Sequence, residues 1–197
     1  GREIYVEIKG YPITIDDLQL GYYVVYDNIT ERKEEEERIR YLSFHDQLTG
    51  LYNRRYFANE LNRLDETRNL PISIIVADID GLKNINDNFG HKEGDKAIKM
   101  AGKIIDSVTR TEDIVARIGG DEYAVILPGT DKKAVENIIE RIQKLMEIHN
   151  NSNDIVFGIS AGYGIKKSDR HKLNEVFKDA DKMMYDKKRR KKEEVIS

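Results

Sequence analysis

The 197 residues carry 33 lysines and arginines against 36 aspartates and glutamates, a formal net charge of −3, so no bulk electrostatic pull toward nucleic acid or a membrane surface is expected and any anionic ligand must be held locally. Cysteine is absent and His45, His91, His149 and His171 are scattered without ligand spacing, which excludes disulfides, thiolate catalysis and cysteine–zinc sites. Apolar runs such as Ile74–Ala77 fall far short of the ~20 residues that span a bilayer, and no signal-peptide pattern opens the chain; a cytoplasmic stretch with no nucleic-acid or membrane contact is expected, with a membrane tether elsewhere in the full-length protein left open.

In chain order, the alternation of Ile4, Val6 and Ile8 and the run Tyr22-Tyr-Val-Val25 predict two short strands, Ile4–Ile8 and Leu20–Val25, which alone cannot form a stable sheet. From about Asn28 a polar helix follows, supported by Glu34 with Arg38 and Glu36 with Arg40. Its apolar seam is only Ile39 and Leu42. That pattern suits either a solvated linker or a weak dimerising coiled coil.

From Asp46 the pattern becomes globular. A helix after Asn53 presents Phe57, Leu61 and Leu64, and the nearly all-apolar Ile72–Ile79 suits a strand buried on both faces. Gly94 to Val108 is an amphipathic helix, and a hairpin with arms Ile114–Ile118 and Glu122–Leu127 turns around Gly119-Gly-Asp121, where glycine would permit a positive φ. A helix over 131–148, a strand through Ile155, Phe157, Ile159, Ala161 and Tyr163, and a helix from Leu173 to about Arg190 complete the chain. The order αβαββαβα predicts an α+β fold, a central antiparallel-containing sheet flanked by helices and palm-like in outline.

The chemistry concentrates at one strand end. Period-two alternation puts Asp78 and Asp80 on the same side of their strand, and the hairpin presents Asp121 and Glu122. If the two segments are neighbours, four hard oxygen ligands converge, of the sort Mg²⁺ prefers when it also binds substrate phosphates. Taken singly, each is equally a solvated turn acid.

Gly119-Gly-Asp-Glu-Tyr123 resembles the signature loop of GGDEF-domain diguanylate cyclases, with Tyr in place of the usual final Phe. Asp46-Gln-Leu-Thr-Gly-Leu-Tyr-Asn-Arg-Arg55, Asp78-Ile-Asp-Gly-Leu-Lys-Asn-Ile-Asn-Asp87, Phe89-Gly-His91 and Gly94-Asp95 accompany it in the family's order and spacing. The resemblance covers residues 44–188 and implies a nucleotidyl-cyclase-like GGDEF fold that condenses two GTP molecules into cyclic di-GMP, with release of pyrophosphate and dependence on Mg²⁺, for which Mn²⁺ may substitute. The segment before it, ending in Asp27-Asn-Ile-Thr-Glu-Arg-Lys33, resembles the last strands and exit of a PAS sensor domain. The implied division is a PAS remnant over 1–29, a linker helix over 30–43 and a GGDEF domain over 44–197.

Carried over position by position, the resemblance makes Asp78 and Asp121 metal ligands, with the Ile79 carbonyl assisting and Glu122 a further ligand or the base. Gly119 and Gly120 would admit the triphosphate, and the backbone at Gly81 and Leu82, with Lys83, would meet its oxygens. Asn86 and Asp95 would read guanine, although a loop Asn and an Asp opening a helix are also ordinary caps. Lys188 aligns with a phosphate-binding cation, and Lys192 stands where the family usually has Arg, keeping the charge without the bidentate geometry. The run Lys187–Lys192 also suits a helix C-terminus in water. Arg110 and Asp113, in the RxxD spacing before Gly119, together with Arg141, resemble the site at which such enzymes bind their own product as inhibitor; elsewhere an RxxD would be a surface ion pair. One acid cluster and one guanine-reading pair per chain imply a homodimer, because closing a cyclic dinucleotide needs two facing GTP molecules. The alternative is a catalytically silent GGDEF-like receptor that binds GTP or cyclic di-GMP and signals to a partner. A dimerising module alone would leave the acids unexplained.

Overall fold

The computed structural model describes residues 3–66 and 70–196, with side chains left out at 192 and at 194–196. It divides into two compact units, Gly1–Ser43 and Phe44–Ser197.

In the first unit, strands β1 (Val6–Ile15) and β2 (Leu18–Asn28) pair antiparallel and run into helix α1 (Thr30–Phe44). Both strands are longer than their sequence pattern predicts. The reason is the turn: Asp16 and Asp17 take left-handed φ values of 47° and 63°, the two-residue geometry that matches strand twist, so pairing continues through Gly10 and Pro12. Pro12 is tolerated because a two-stranded ribbon has open edges. Thr30 ties helix to hairpin, its hydroxyl accepting the Tyr5 N–H at 2.9 Å while its own N–H donates to Asn28 Oδ1 at 3.0 Å. Glu36 is bonded to Arg32 and Lys33 in the preceding turn.

The second unit contains β3 (Tyr52–Asn53), α2 (Arg54–Asp65), β4 (Ile72–Asp80), α3 (Leu82–Phe89), α4 (His91–Ser107), β5 (Ile114–Arg117), β6 (Glu122–Pro128), α5 (Lys132–Asn150), β7 (Gly158–Lys166) and α6 (Leu173–Ile196). Its sheet has the order β3-β5-β6-β4-β7, antiparallel except for the β3–β5 pair. The predicted α+β class is the observed one. Two apolar layers cover the faces. Ile75, Ala77 and Ile79 of β4 pack with Ile98, Ala101 and Ile105 of α4 and Ile142 of α5. Ile72, Ile74 and Val76 face the other way, with Phe57 and Leu61 of α2 and Leu173, Val176, Ala180 and Met184 of α6. Burial on both sides explains why β4 reads as one apolar run.

Two further expectations change here. Residues 82–89 form helix α3, so Asn86 lies in a helix and not in a loop, and its carbonyl accepts the Gly90 N–H at 2.9 Å. Helix α4 opens at His91, three residues before Gly94, so Asp95 sits past its first turn and is no cap. No helix among the described residues is long and apolar enough to cross a membrane.

Candidate active site

The period-two reading of β4 places its acids as expected. Asp78 and Asp80 end the face that carries Ile72, Ile74 and Val76, beneath the C-terminal half of α6. Asp78 is opposite Glu122 of β6 and Ser160 of β7 in register, and the Ile79 N–H donates to the Asp121 carbonyl at 3.1 Å. The hairpin acids and the strand acids therefore meet at one end of the sheet.

They do not close into a cage. Among the described residues no three His, Asp or Glu side chains are gathered tightly enough to hold a metal. Asp80 turns aside: its carboxylate accepts from the Ser160 hydroxyl at 2.6 Å and from Lys191 Nζ at 2.9 Å. Asp78 is buried and accepts a hydrogen bond from Lys188. Burial above all, opposed by Lys188 and reinforced by Asp121 and then Asp80, pushes the Asp78 carboxyl up to about 6. A buried carboxylate crowded by like charges and met by one lysine is under-neutralised. That suits Mg²⁺, which is bound by one or two carboxylates plus substrate phosphates more often than by an all-protein cage.

The signature glycines act through space rather than through φ. Neither Gly119 nor Gly120 is among the glycines with positive φ, contrary to the turn expected from sequence. The hairpin closes instead by Ile118 N–H and Gly119 N–H donating to the Glu122 carbonyl, at 2.9 and 3.3 Å. A Cβ at Gly119 would collide with the Glu122 carboxylate, whereas Gly120 is open and exposed. Tyr123 points to the opposite face, where its hydroxyl donates to the Ile98 carbonyl at 2.6 Å.

The other candidate residues fall in two groups. Gly81 has φ 76° and precedes α3, whose first intrahelical bond runs from Ile85 N–H to the Gly81 carbonyl; the amides of Leu82 and Lys83 thus have no partner within the helix, and Lys83 is exposed. Asn86 lies against Gly94 so closely that a Cβ there would strike its side-chain oxygen, and Asp95 is exposed on the next residue. The second group is at the far end of α4. Asp113 accepts the Arg110 N–H at 2.7 Å, the Arg110 guanidinium is 3.7 Å from Glu112, and Arg141 donates to the Val108 carbonyl at 3.4 Å. Burial raises the Asp113 carboxyl, opposed by that N–H. The side chain of Lys192 lies outside the described residues.

Four residues that the sequence reading gave no role in the site contribute to it. Arg117 donates to both carboxylate oxygens of Asp46 at 3.1 Å and to the Gly120 carbonyl at 2.8 Å, tying the hairpin to the Asp46–Asn53 segment. Asp46 in turn accepts from the Thr49 N–H and hydroxyl at 2.9 and 2.7 Å; burial raises its carboxyl, but these bonds and Arg117 hold it below its usual value. Ser160 and Lys191 are the partners of Asp80 described above. A signal for Lys191 exists: the α6 stripe Leu173, Val176, Ala180, Met184 continues at helical spacing onto Lys187, Lys188 and Lys191.

A helix-flanked α+β sheet in which an interior strand ends in acids beside a Gly-Gly-Asp-Glu hairpin defines a nucleotide-cyclase type of domain. Residues 43–194 match the family described as "Diguanylate cyclase, GGDEF domain", and the chain belongs to that family. It is 32% identical over 178 residues to DgcC of Escherichia coli K12 and 31% identical over 189 residues to the diguanylate cyclase DgcM of the same strain, covering 88% and 94% of this chain. It spans about half the length of these relatives, 48% and 45%. The solved coiled coil and GGDEF domain of DgcB from Caulobacter crescentus, in complex with c-di-GMP, superposes with a TM-score of 0.73 at 27% identity, over 82% of this chain and 88% of that one.

Proposed function

We propose that this chain is a diguanylate cyclase module that joins two GTP molecules into cyclic di-GMP. The observation that carries the reading is the buried, under-neutralised Asp78 opposite Glu122, at the point where the hairpin backbone bonds to β4. The names of DgcC and DgcM and the ligand of the DgcB structure agree with it. Asp78 and Asp121, with the Ile79 carbonyl and Glu122, would hold Mg²⁺ or Mn²⁺. A divalent ion there supplies charge that polarises the α-phosphate and offsets the negative charge of the leaving pyrophosphate.

The remaining work belongs to the chain. The 3′-oxygen of one GTP forms a bond to the α-phosphorus of the other as the bond to pyrophosphate breaks, and Glu122, where it is not a metal ligand, would accept the hydroxyl proton. Lys188, the partner of Asp78, would meet phosphate oxygens. The free amides at Leu82 and Lys83, the Lys83 ammonium and the exposed backbone at Gly120 face the triphosphate. Asn86, braced on Gly94, and Asp95 read the guanine edge, a carboxylate being a match for its N1–H and amino group. Lys192 has the charge for phosphate contact but not the fork of Arg.

One such set of groups holds one GTP, so the working unit is a two-fold homodimer in the cytoplasm. The ribbon of β1 and β2 is the end of a PAS sensor domain and α1 the linker that sets subunit geometry. Arg110, Asp113 and Arg141 form a product site that limits turnover. The test is to incubate the chain with GTP and Mg²⁺ and analyse the nucleotides. Cyclic di-GMP and pyrophosphate are expected, with specific activity rising with enzyme concentration and product inhibition lost in Arg110→Ala. Product formed by Asp121→Ala, or in excess chelator, overturns the assignment; cyclic di-GMP binding without turnover supports a silent receptor instead.

A further inference from the structure

Asp80 shares its strand face with Asp78, yet every polar partner it has draws it away from the acid hairpin. One carboxylate oxygen accepts from the Ser160 hydroxyl at 2.6 Å and the other from Lys191 Nζ at 2.9 Å. Ser160 is buried. The carboxylate also rests on Gly158, the Asp80 partner in β7, where a Cβ would come within 2.7 Å of its oxygen. Space, a buried hydroxyl and a cation together hold this group in one orientation.

The consequence runs through α6. Lys191 also donates to the Ile159 carbonyl at 3.2 Å, and Lys187 donates to the Ala161 carbonyl at 2.9 Å, so two lysines lace the helix to the open edge of β7. Residues three and four apart share a helix face. Fixing Lys187 and Lys191 therefore fixes the rotation of the turn between them, and Lys188, the partner of Asp78, lies in that turn. A charged side chain on the last turns of a helix ordinarily samples many rotamers.

We propose that Asp80 is a positioning residue: held by Ser160 and Gly158, it anchors Lys191, and through it the end of α6, so that Lys188 is delivered to Asp78. This rests on the reading of Asp78 as part of the catalytic site, but its first test does not. Lysine acylation followed by mass spectrometry reads each ammonium separately. In the unaltered chain Lys188 should react more slowly than the exposed Lys83. In Lys191→Met and in Asp80→Asn it should approach the rate of Lys83, and the double variant should add little to either single change. Lys191 is half exposed, so Lys191→Met keeps the test alive should Asp80→Asn fold poorly. An unchanged Lys188 rate in both variants overturns the anchor whether or not the chain turns over GTP.

Two further measurements separate anchoring from direct ligation. With GTP as substrate, both variants should raise KM about tenfold, within the range for groups that orient a site's ligands, with kcat far less affected. Mn²⁺ binding in the presence of a non-hydrolysable GTP analogue, followed by electron paramagnetic resonance, should be alike in Asp80→Asn and Lys191→Met. A loss of Mn²⁺ affinity confined to Asp80→Asn would make Asp80 a metal ligand and overturn the proposal.

Discussion

Two lysine–aspartate pairs sit on the same face of the sheet, at opposite ends of β4. Lys166 and Asp65 close the end near Ile72, the residue opposite Lys166 in register; Lys188 and Asp78 close the other. Their burial is similar, 1% and 17% side-chain exposure for the first pair against 21% and 8% for the second. Their surroundings are not. Asp65 accepts from Lys166 at 2.6 Å and from the Leu173 N–H at 2.9 Å, and Lys172 is 3.4 Å away. Burial raises the Asp65 carboxyl, but these donors outweigh it and hold it below the usual carboxylate range. Asp78 has one lysine and two neighbouring acids, Asp121 and Asp80, and its carboxyl rises to about 6. A salt bridge that saturates its partners is a fastener. One left short of positive charge is a place where a further cation and its ligands can enter.

The difference is broken most severely by removing one charged member of each pair in turn. Asp78→Asn should lower turnover of GTP by about a thousandfold, roughly 4 kcal/mol of lost transition-state stabilisation, while the thermal midpoint stays within a few degrees, because the change also relieves like-charge crowding. Steady-state kinetics beside a thermal melt checks both. A large fall in melting temperature with activity intact would make Asp78 a fastener like Asp65.

Lys166→Ala should do the reverse. It leaves Asp65 with only the Leu173 N–H and the exposed Lys172, and removing one partner of a buried pair destabilises by about 3–5 kcal/mol. Denaturant titration should show that loss, with turnover per folded molecule unchanged. The acid limb of stability carries the same signature more weakly. The folded Asp65 titrates below its unfolded value, so its contribution is complete above the unfolded value and disappears as the pH falls through the folded one. Asp65→Asn should therefore flatten the loss of stability on acidification below about pH 4; a slope equal to that of the unaltered chain would show that the pair is not coupled to folding.

How much of this was legible in the sequence depends on the range of the interaction. Period-two alternation along β4 put Asp78 and Asp80 on one face, and the motif order located the hairpin acids, because both are local patterns. Asp46 and Arg117 are 71 residues apart, and they meet only because β3 lies parallel to β5, a pairing of two residues that leaves no periodic trace. Lys166 lies past the last alternating residue read in its strand, Tyr163, and nothing nearby in sequence announces Asp65. The lysines of α6 were on the page, in phase with the apolar stripe, but cations at a helix end have a sufficient explanation in water. Helix α3 was hidden by its own motif: Leu82, Ile85 and Phe89 keep helical spacing, yet Asn and Asp between them favour turns. In the first unit, Asp16-Asp17 lacks the glycine that usually marks a two-residue hairpin, so the strands were read short.

The smallest expected effect probes whether the two faces of β6 are independent. Glu122 is opposite Asp78 in register, and the next residue, Tyr123, points toward α4, where the family's usual residue is Phe. The Tyr123 hydroxyl is buried, its one hydrogen bond is to Ile98, and burial raises its ionisation well above the ordinary phenol value. Tyr123→Phe deletes that bond without opening much space, since the ring remains against Gly102. The Ile98 carbonyl keeps its place in the helix ladder, so no acceptor is orphaned and the loss should be only about 1 kcal/mol. Turnover should not change, because nothing on the Glu122 side moves. Should Tyr123→Phe alter kcat while costing no stability, the hydroxyl must act on the acids through the strand, and the independence of the two faces would be wrong.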